Sequence, residues 1–190
     1  MRIDKSLNLV VPVETEAGTL YVHSAPIRVE TFKCHFLVLS KTLSAMYEEG
    51  IGRSLGPRVA SLMLQKIAAE TGVWGGETGV ENSLLAEIRR LSNVIVPTAS
   101  GWQSLPLVDA AKQGHLTALE VEEAEGFIVF FTCIYHLHKR KDLHSFMAPM
   151  STLWDTESTS LSSTEYRDSL PILTETETFA PTVPQSSVPG

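Results

Sequence analysis

The chain has 190 residues, a formal net charge of −7, 43% hydrophobic residues and two cysteines, with an isoelectric point near 5.3. That acidity argues against nucleic acid as a partner, because phosphate binding needs a clustered basic face; the one basic run, Lys139-Arg140-Lys141, is followed at once by Asp142. Cys34 and Cys133 lie far apart in apolar segments and read as reduced core residues, not as a disulfide framework.

Met1-Arg2-Ile3-Asp4-Lys5 lacks the apolar stretch of a secretory signal. The most apolar run, Phe127 to Leu137, is eleven residues long, whereas a helix crossing a bilayer takes about 20. A cytoplasmic protein without a membrane partner is expected. Sixteen of the last forty residues, Ser151 to Gly190, are Ser or Thr, and six carboxylates stand there against one basic residue, Arg167. Such a segment cannot bury enough apolar surface to fold alone. The chain therefore divides into a nearly neutral globular domain, residues 1–150, and a Ser/Thr/Pro/Glu-rich disordered tail, residues 151–190.

In chain order, Leu7 to Val13 and Thr19 to His23 are aliphatic-rich runs joined by turn chemistry, which predicts a β-hairpin within residues 1–24. A helix should run from Pro26–Val29 to Glu49 and stop at Gly50, with Val29, Phe32, Phe36, Leu39, Leu43, Met46 and Tyr47 on its core face and Leu37 broadening it. A second should follow Pro57 and stop at Gly72, and a third should span Val80 to Asn93.

Gly72-Val73-Trp74-Gly75-Gly76-Glu77-Thr78-Gly79 is glycine-rich but lacks the Gly-Lys-Ser/Thr ending of a phosphate loop, so it reads as a turn. Val96-Pro97 and Ser100-Gly101-Trp102 read as an irregular crossing, and Ser104 with Pro106 should open a short helix ending at Gly114. The longest helix should begin at Thr117, with Glu120 at the spacing of a capping box, and its apolar centre should make it the element on which the others pack. A last amphipathic segment spans His144 to Trp154. The expected fold is mainly α (α+β): an N-terminal hairpin, a bundle of about five to six helices, and a flexible tail.

No chemistry stands out. His136 and His138 point about 200° apart on a helix, and His138 with Asp142 gives two ligands where a closed site needs four, so no metal is expected. No Gly-x-Ser-x-Gly elbow marks a nucleophile. The pattern points to a non-enzymatic binding protein without a cofactor. A linear docking element is expected within Ser162 to Pro171, with Glu165, Tyr166, Leu170 and Pro171 as contacts. Met147 and Met150 are adaptable side chains suited to a client, alongside Met46 and Met63.

Several stretches together resemble the tail assembly chaperones of long-tailed bacteriophages: residues 1–13, Tyr21-Val22-His23-Ser24, Phe36 to Thr42, Gly56-Pro57-Arg58-Val59-Ala60, Glu87 to Asn93, and Ser163-Thr164-Glu165-Tyr166 with Ser169-Leu170-Pro171. The resemblance implies a factor of the infected host's cytoplasm, absent from the mature virion, that coats the helical tape measure protein and helps tube subunits polymerise around it. It also implies a longer, frameshifted form that recruits the tail tube protein, with the tail leading to the junction. Self-association through the hairpin edge is a further expectation. The rival classes are a virion structural protein, such as a tube or tail completion component using its N-terminal strands for ring contacts, and a host-directed adaptor.

Overall fold

The computed structural model describes residues 7–16, 18–48, 56–138, 142, 143, 147, 151 and 155–173. Strands β1 (Asn8–Thr15), β2 (Gly18–Ser24), β3 (Ser92–Thr98), β4 (Gly101–Pro106) and β5 (Glu157–Thr159) form one antiparallel sheet in the order β4-β3-β2-β1-β5. Helices α1 (Val29–Glu48), α2 (Gly56–Glu70) and α5 (Ala118–Leu137) build a layer on one face, and α6 (Ser163–Ser169) lies on the other. A π-helical segment (Val80–Leu85), α3 (Ala86–Arg90) and α4 (Leu107–Lys112) complete the chain path.

Period-2 alternation decides which residue faces which layer. Leu9, Val11 and Val13 of β1, Leu20 and Val22 of β2, and Val94 and Val96 of β3 enter the main core. Val10 and Ile95, with Tyr21 beside them, face the opposite way and make a smaller cluster around Tyr166. α2 and α5 pack along each other, and α1 packs on both. The reciprocal capping box predicted at Thr117 and Glu120 starts α5, which buries Ile128, Val129, Phe130, Phe131, Cys133 and Ile134 as the central helix.

The bundle expectation is overturned. Beyond the hairpin, three more strands extend the sheet, and the architecture is a mixed α+β layering. Residues 92–106, expected as an irregular crossing running into a helix, form the β3–β4 hairpin, in which Thr98 pairs with Gly101 across a two-residue loop. Gly101 takes φ 109° there, a value that side chains with a Cβ rarely adopt. The helix expected over Val80–Asn93 is shorter: it starts as a π-helix, ends at Arg90, and gives way to β3 at Ser92. The short helix before Gly114 begins at Leu107, with Pro106 as its N-cap, because Ser104 and Pro106 belong to β4.

The folded body also reaches past residue 150. Glu157, Ser158 and Thr159 pair with Val10, Leu9 and Asn8, and α6 carries its own capping box between Ser162 and Glu165. These polar residues are ordered by backbone pairing and by one buried aromatic, Tyr166, so they need no core of their own. Residues 174–190 lie outside the described residues.

Two buried carboxylates tie the helices together. Glu87 accepts from the Arg28 backbone N–H at 2.8 Å, from its guanidinium at 3.1 Å, and from the Thr31 hydroxyl. Glu125, near the middle of α5, pairs with Arg89 of α3.

Candidate docking surface

α1 has two apolar faces, and only one of them builds the core. The structure buries Thr31, His35, Val38, Leu39, Thr42 and Met46; of the predicted face, Leu39 and Met46 are among these and Phe32 and Leu43 pack against the core, whereas Val29, Phe36 and Tyr47 do not. Val29, Phe36, Leu37 and Tyr47 remain 50%, 49%, 64% and 53% exposed. Residues 7 and 18 apart return to nearly the same side of a helix, so Val29, Phe36 and Tyr47 form one outward stripe with Leu37 at its margin.

Thr31, His35 and Thr42 are tolerated on the core face because each has a partner. Thr31 donates to Glu87, Thr42 donates to the Val38 carbonyl at 2.8 Å, and His35 Nε2 lies 3.2 Å from Ser83 Oγ on the π-helical segment. Burial lowers the pKa of His35 below its ordinary 6.5, which keeps the ring neutral at pH 7.

A groove runs beside the stripe. Its first part, about 590 Å3, lies between Leu37, Val38 and Lys41 of α1 and the turn that contains Val73 and Gly75. Its second, about 400 Å3, lies between Ser44, Ala45 and Glu48 and the end of α2 at Glu70. Lys41 and Thr71 line both parts.

Local sequence fixes that wall. Gly72 at φ 69° closes α2, with its N–H on the Ala69 carbonyl and the Val73 N–H on the Ala68 carbonyl, the paired bonds of a Schellman cap. A Cβ at Gly79 would stand 2.2 Å from the Gly75 carbonyl oxygen, so the loop folds back on itself only with glycine there. Trp74 packs against the main core from this turn. Cys34, expected in the core, is exposed at the groove instead, because the buried face of α1 is rotated away from it. Cys133 is buried, and burial pushes its thiol up to about 12.

The contacts expected from sequence in the C-terminal segment sit elsewhere. Tyr166 is buried on the outer face of the sheet, 6.1 Å from the Tyr21 ring, and its hydroxyl donates to Glu157 at 3.0 Å. Burial, then the Glu157 charge, raises its pKa. Leu170 packs on the same cluster, the Pro171 carbonyl accepts from the Trp102 indole at 2.8 Å, and Glu165 caps its own helix. The Leu161 carbonyl accepts from Asn8 Nδ2 at 2.8 Å and lies 2.9 Å from His23 Nε2. Residues 161–171 thus form a strap bound in cis across the sheet. Met147 is buried in the main core, and Met150 lies outside the described residues.

His136 stacks on Phe32 with 4.6 Å between ring centres and sits 3.1 Å from the Ile27 carbonyl, while His138 Nδ1 sits 3.0 Å from the Ile134 carbonyl. His144 lies outside the described residues. Among the described residues no group of three or more His, Cys, Asp and Glu is placed to hold a metal ion, and no helix is long and apolar enough to cross a membrane. No family model, curated protein or solved structure matches the chain. Periodicity placed Phe32, Leu39, Leu43 and Met46 of α1 correctly against the core; it missed the outward placement of Val29, Phe36, Leu37 and Tyr47 and the burial of Thr31, His35 and Thr42.

Proposed function

We propose that this chain is a tail assembly chaperone of a long-tailed bacteriophage. It acts in the cytoplasm of the infected host, binds and solubilises the tape measure protein, and helps tube subunits polymerise around it. A longer, frameshifted form brings in the tail tube protein. Beside the sequence resemblance, the observation that carries this reading is the outward face of α1, which leaves Val29, Phe36, Leu37 and Tyr47 half-exposed or more while Val38, Leu39 and Met46 build the core with Thr31, His35 and Thr42 beside them. Exposed large apolar side chains of this kind suit a protein partner, and a row of them along a groove suits an amphipathic helix.

The rival virion reading asks the N-terminal strands to make ring contacts. β2 lies between β1 and β3, but β5 covers the outer edge of β1 only at Asn8–Val10, so Val11–Thr15 keep an edge without a strand neighbour among the described residues, and such contacts would have to form there.

The test is co-expression with the tape measure protein encoded beside this chain, followed by affinity capture. The expected outcome is a soluble complex that an unrelated long helical protein does not reproduce, lost in the Phe36→Asp variant and kept in a chain ending after Leu173. Insoluble tape measure together with this protein at stoichiometric abundance in purified virions would overturn the reading in favour of a structural component.

A further inference from the structure

The groove beside α1 is electrically polarised. Glu48 and Glu70 line one end of it, and Glu70 is also the last residue of α2. α2 adds the partial negative charge of its carbonyl end to the Glu70 carboxylate. Between that end and the apolar wall of Leu37, Val38 and Val73 the floor is small and hydroxylated. There Ser40 Oγ is buried with no hydrogen-bond partner among the described residues. Lys41 stands two turns in from Glu48. From Cys34 to Glu48 the groove follows about 21 Å of helix at 1.5 Å per residue.

We propose that this groove seats one partner helix of about 14 residues, a length set by that rise per residue. Its aliphatic side chains lie on Leu37, Val38 and Val73, and its basic first turn lies against Glu48 and Glu70. The proposal rests on the chaperone reading, with the helix belonging to the tape measure protein.

Charge complementarity selects this occupant and its direction. A helix N-terminus is partially positive, and Lys or Arg in its first turn adds full charge; both meet two carboxylates and the carbonyl end of α2. Reversed, the helix would set its own carbonyl end against them. A second copy of this chain is a poor occupant: its net charge is −7, and α5, its most apolar helix, opens on Glu120, Glu122 and Glu123.

The test uses the full-length protein and three synthetic helical peptides that share one leucine face. One has two lysines in the first turn, one has them in the last turn, and one has two glutamates in the first turn. Fluorescence anisotropy should show the first binding about tenfold tighter than the others at low salt, with the advantage shrinking as salt rises, as screening requires. The Glu48→Lys, Glu70→Lys double variant should reverse the preference toward the glutamate peptide, and Leu37→Asp should weaken all three. These three positions are exposed, so the variants should keep the wild-type melting curve. A fluorophore on Cys34 should be quenched by a group at the C-terminal end of the first peptide and not by one at its N-terminal end.

Equal affinity for the three peptides, an unchanged preference in the charge-reversed variant, or quenching from the opposite end would overturn the proposal. Capture of the tape measure protein that ignores Leu37→Asp and the charge reversal would remove the groove and leave the chaperone reading standing. Peptide binding in the expected order without any tape measure capture would do the opposite.

Discussion

α1 and α5 are both twenty residues long and both rich in large apolar side chains, yet they spend them differently. α5 buries its apolar centre from Ala124 to Ile134 almost all round and is fixed at its start by a capping box. α1 covers the core with Thr31, His35 and Thr42 among its inward residues and leaves four large apolar side chains in water. One helix holds the fold together; the other keeps apolar surface that the fold does not need. Hydrophobicity in a sequence therefore marks what must be covered, and only packing says whether the protein or a partner covers it.

The sharpest way to break that contrast is to truncate one large side chain on each helix. Phe131→Ala, at a site 1% exposed, should cost about 3–5 kcal/mol in denaturant unfolding. Phe36→Ala, at a half-exposed ring centred 5.8 Å from that of Phe32, should cost only about 1 kcal/mol, while reducing tape measure capture. Equal stability losses at the two positions would mean that α1 is a core helix like α5.

The buried polar contacts of α1 give the next effect. Burial alone would raise the Glu87 carboxyl, but hydrogen bonds from Arg28 and Thr31 outweigh it and hold the group at about 2, below its ordinary 4.5. A carboxyl depressed on folding adds stability above its unfolded value and loses it as pH falls through the folded one. About 2 kcal/mol should therefore disappear between pH 4.5 and pH 2 in urea titrations, and Glu87→Gln should flatten that slope. His35, lowered by burial, should add a milder loss that begins as pH drops below 6.5.

Smaller still is the strap. Tyr166→Phe removes one hydrogen bond to Glu157 and should cost about 1 kcal/mol. Ser162→Ala removes a helix cap and should also cost about 1 kcal/mol. Both should loosen the strap over Trp102, so the indole emission should shift to longer wavelength at denaturant concentrations where the far-UV signal is still native.

Parts of this fold are plain in the sequence because the signal is local. The β1–β2 hairpin, the Gly72 helix stop and the Thr117–Glu120 box each depend on residues within a few positions of one another. β3 and β4 were hidden by their prolines. Pro97 and Pro106 read as breakers, whereas in the structure Pro97 sits in the pair with Trp102 and Pro106 closes the strand at a helix cap. The β-branched run Val94-Ile95-Val96 was the available strand signal.

The strap is a different lesson. Ser162 to Pro171 reads as a docking segment, and it does dock, but on its own sheet. Composition could not show this, because the stabilising contacts, Tyr166 on Val10 and Ile95 and the Leu161 carbonyl on Asn8 and His23, join positions that are remote in the chain.

The pairing of Asn8 with Thr159 sets the timing of the fold during translation. At about 5–20 residues per second, β1 waits roughly 10–30 s on the ribosome for its outer neighbour to be made. Throughout that interval the nascent chain presents an open strand edge at Asn8–Val10, and once Ile95 has been made it presents an uncovered patch around Val10, Tyr21 and Ile95 as well. A stop codon before Thr159 would make that exposed state permanent, while one after Leu173 would release a finished body.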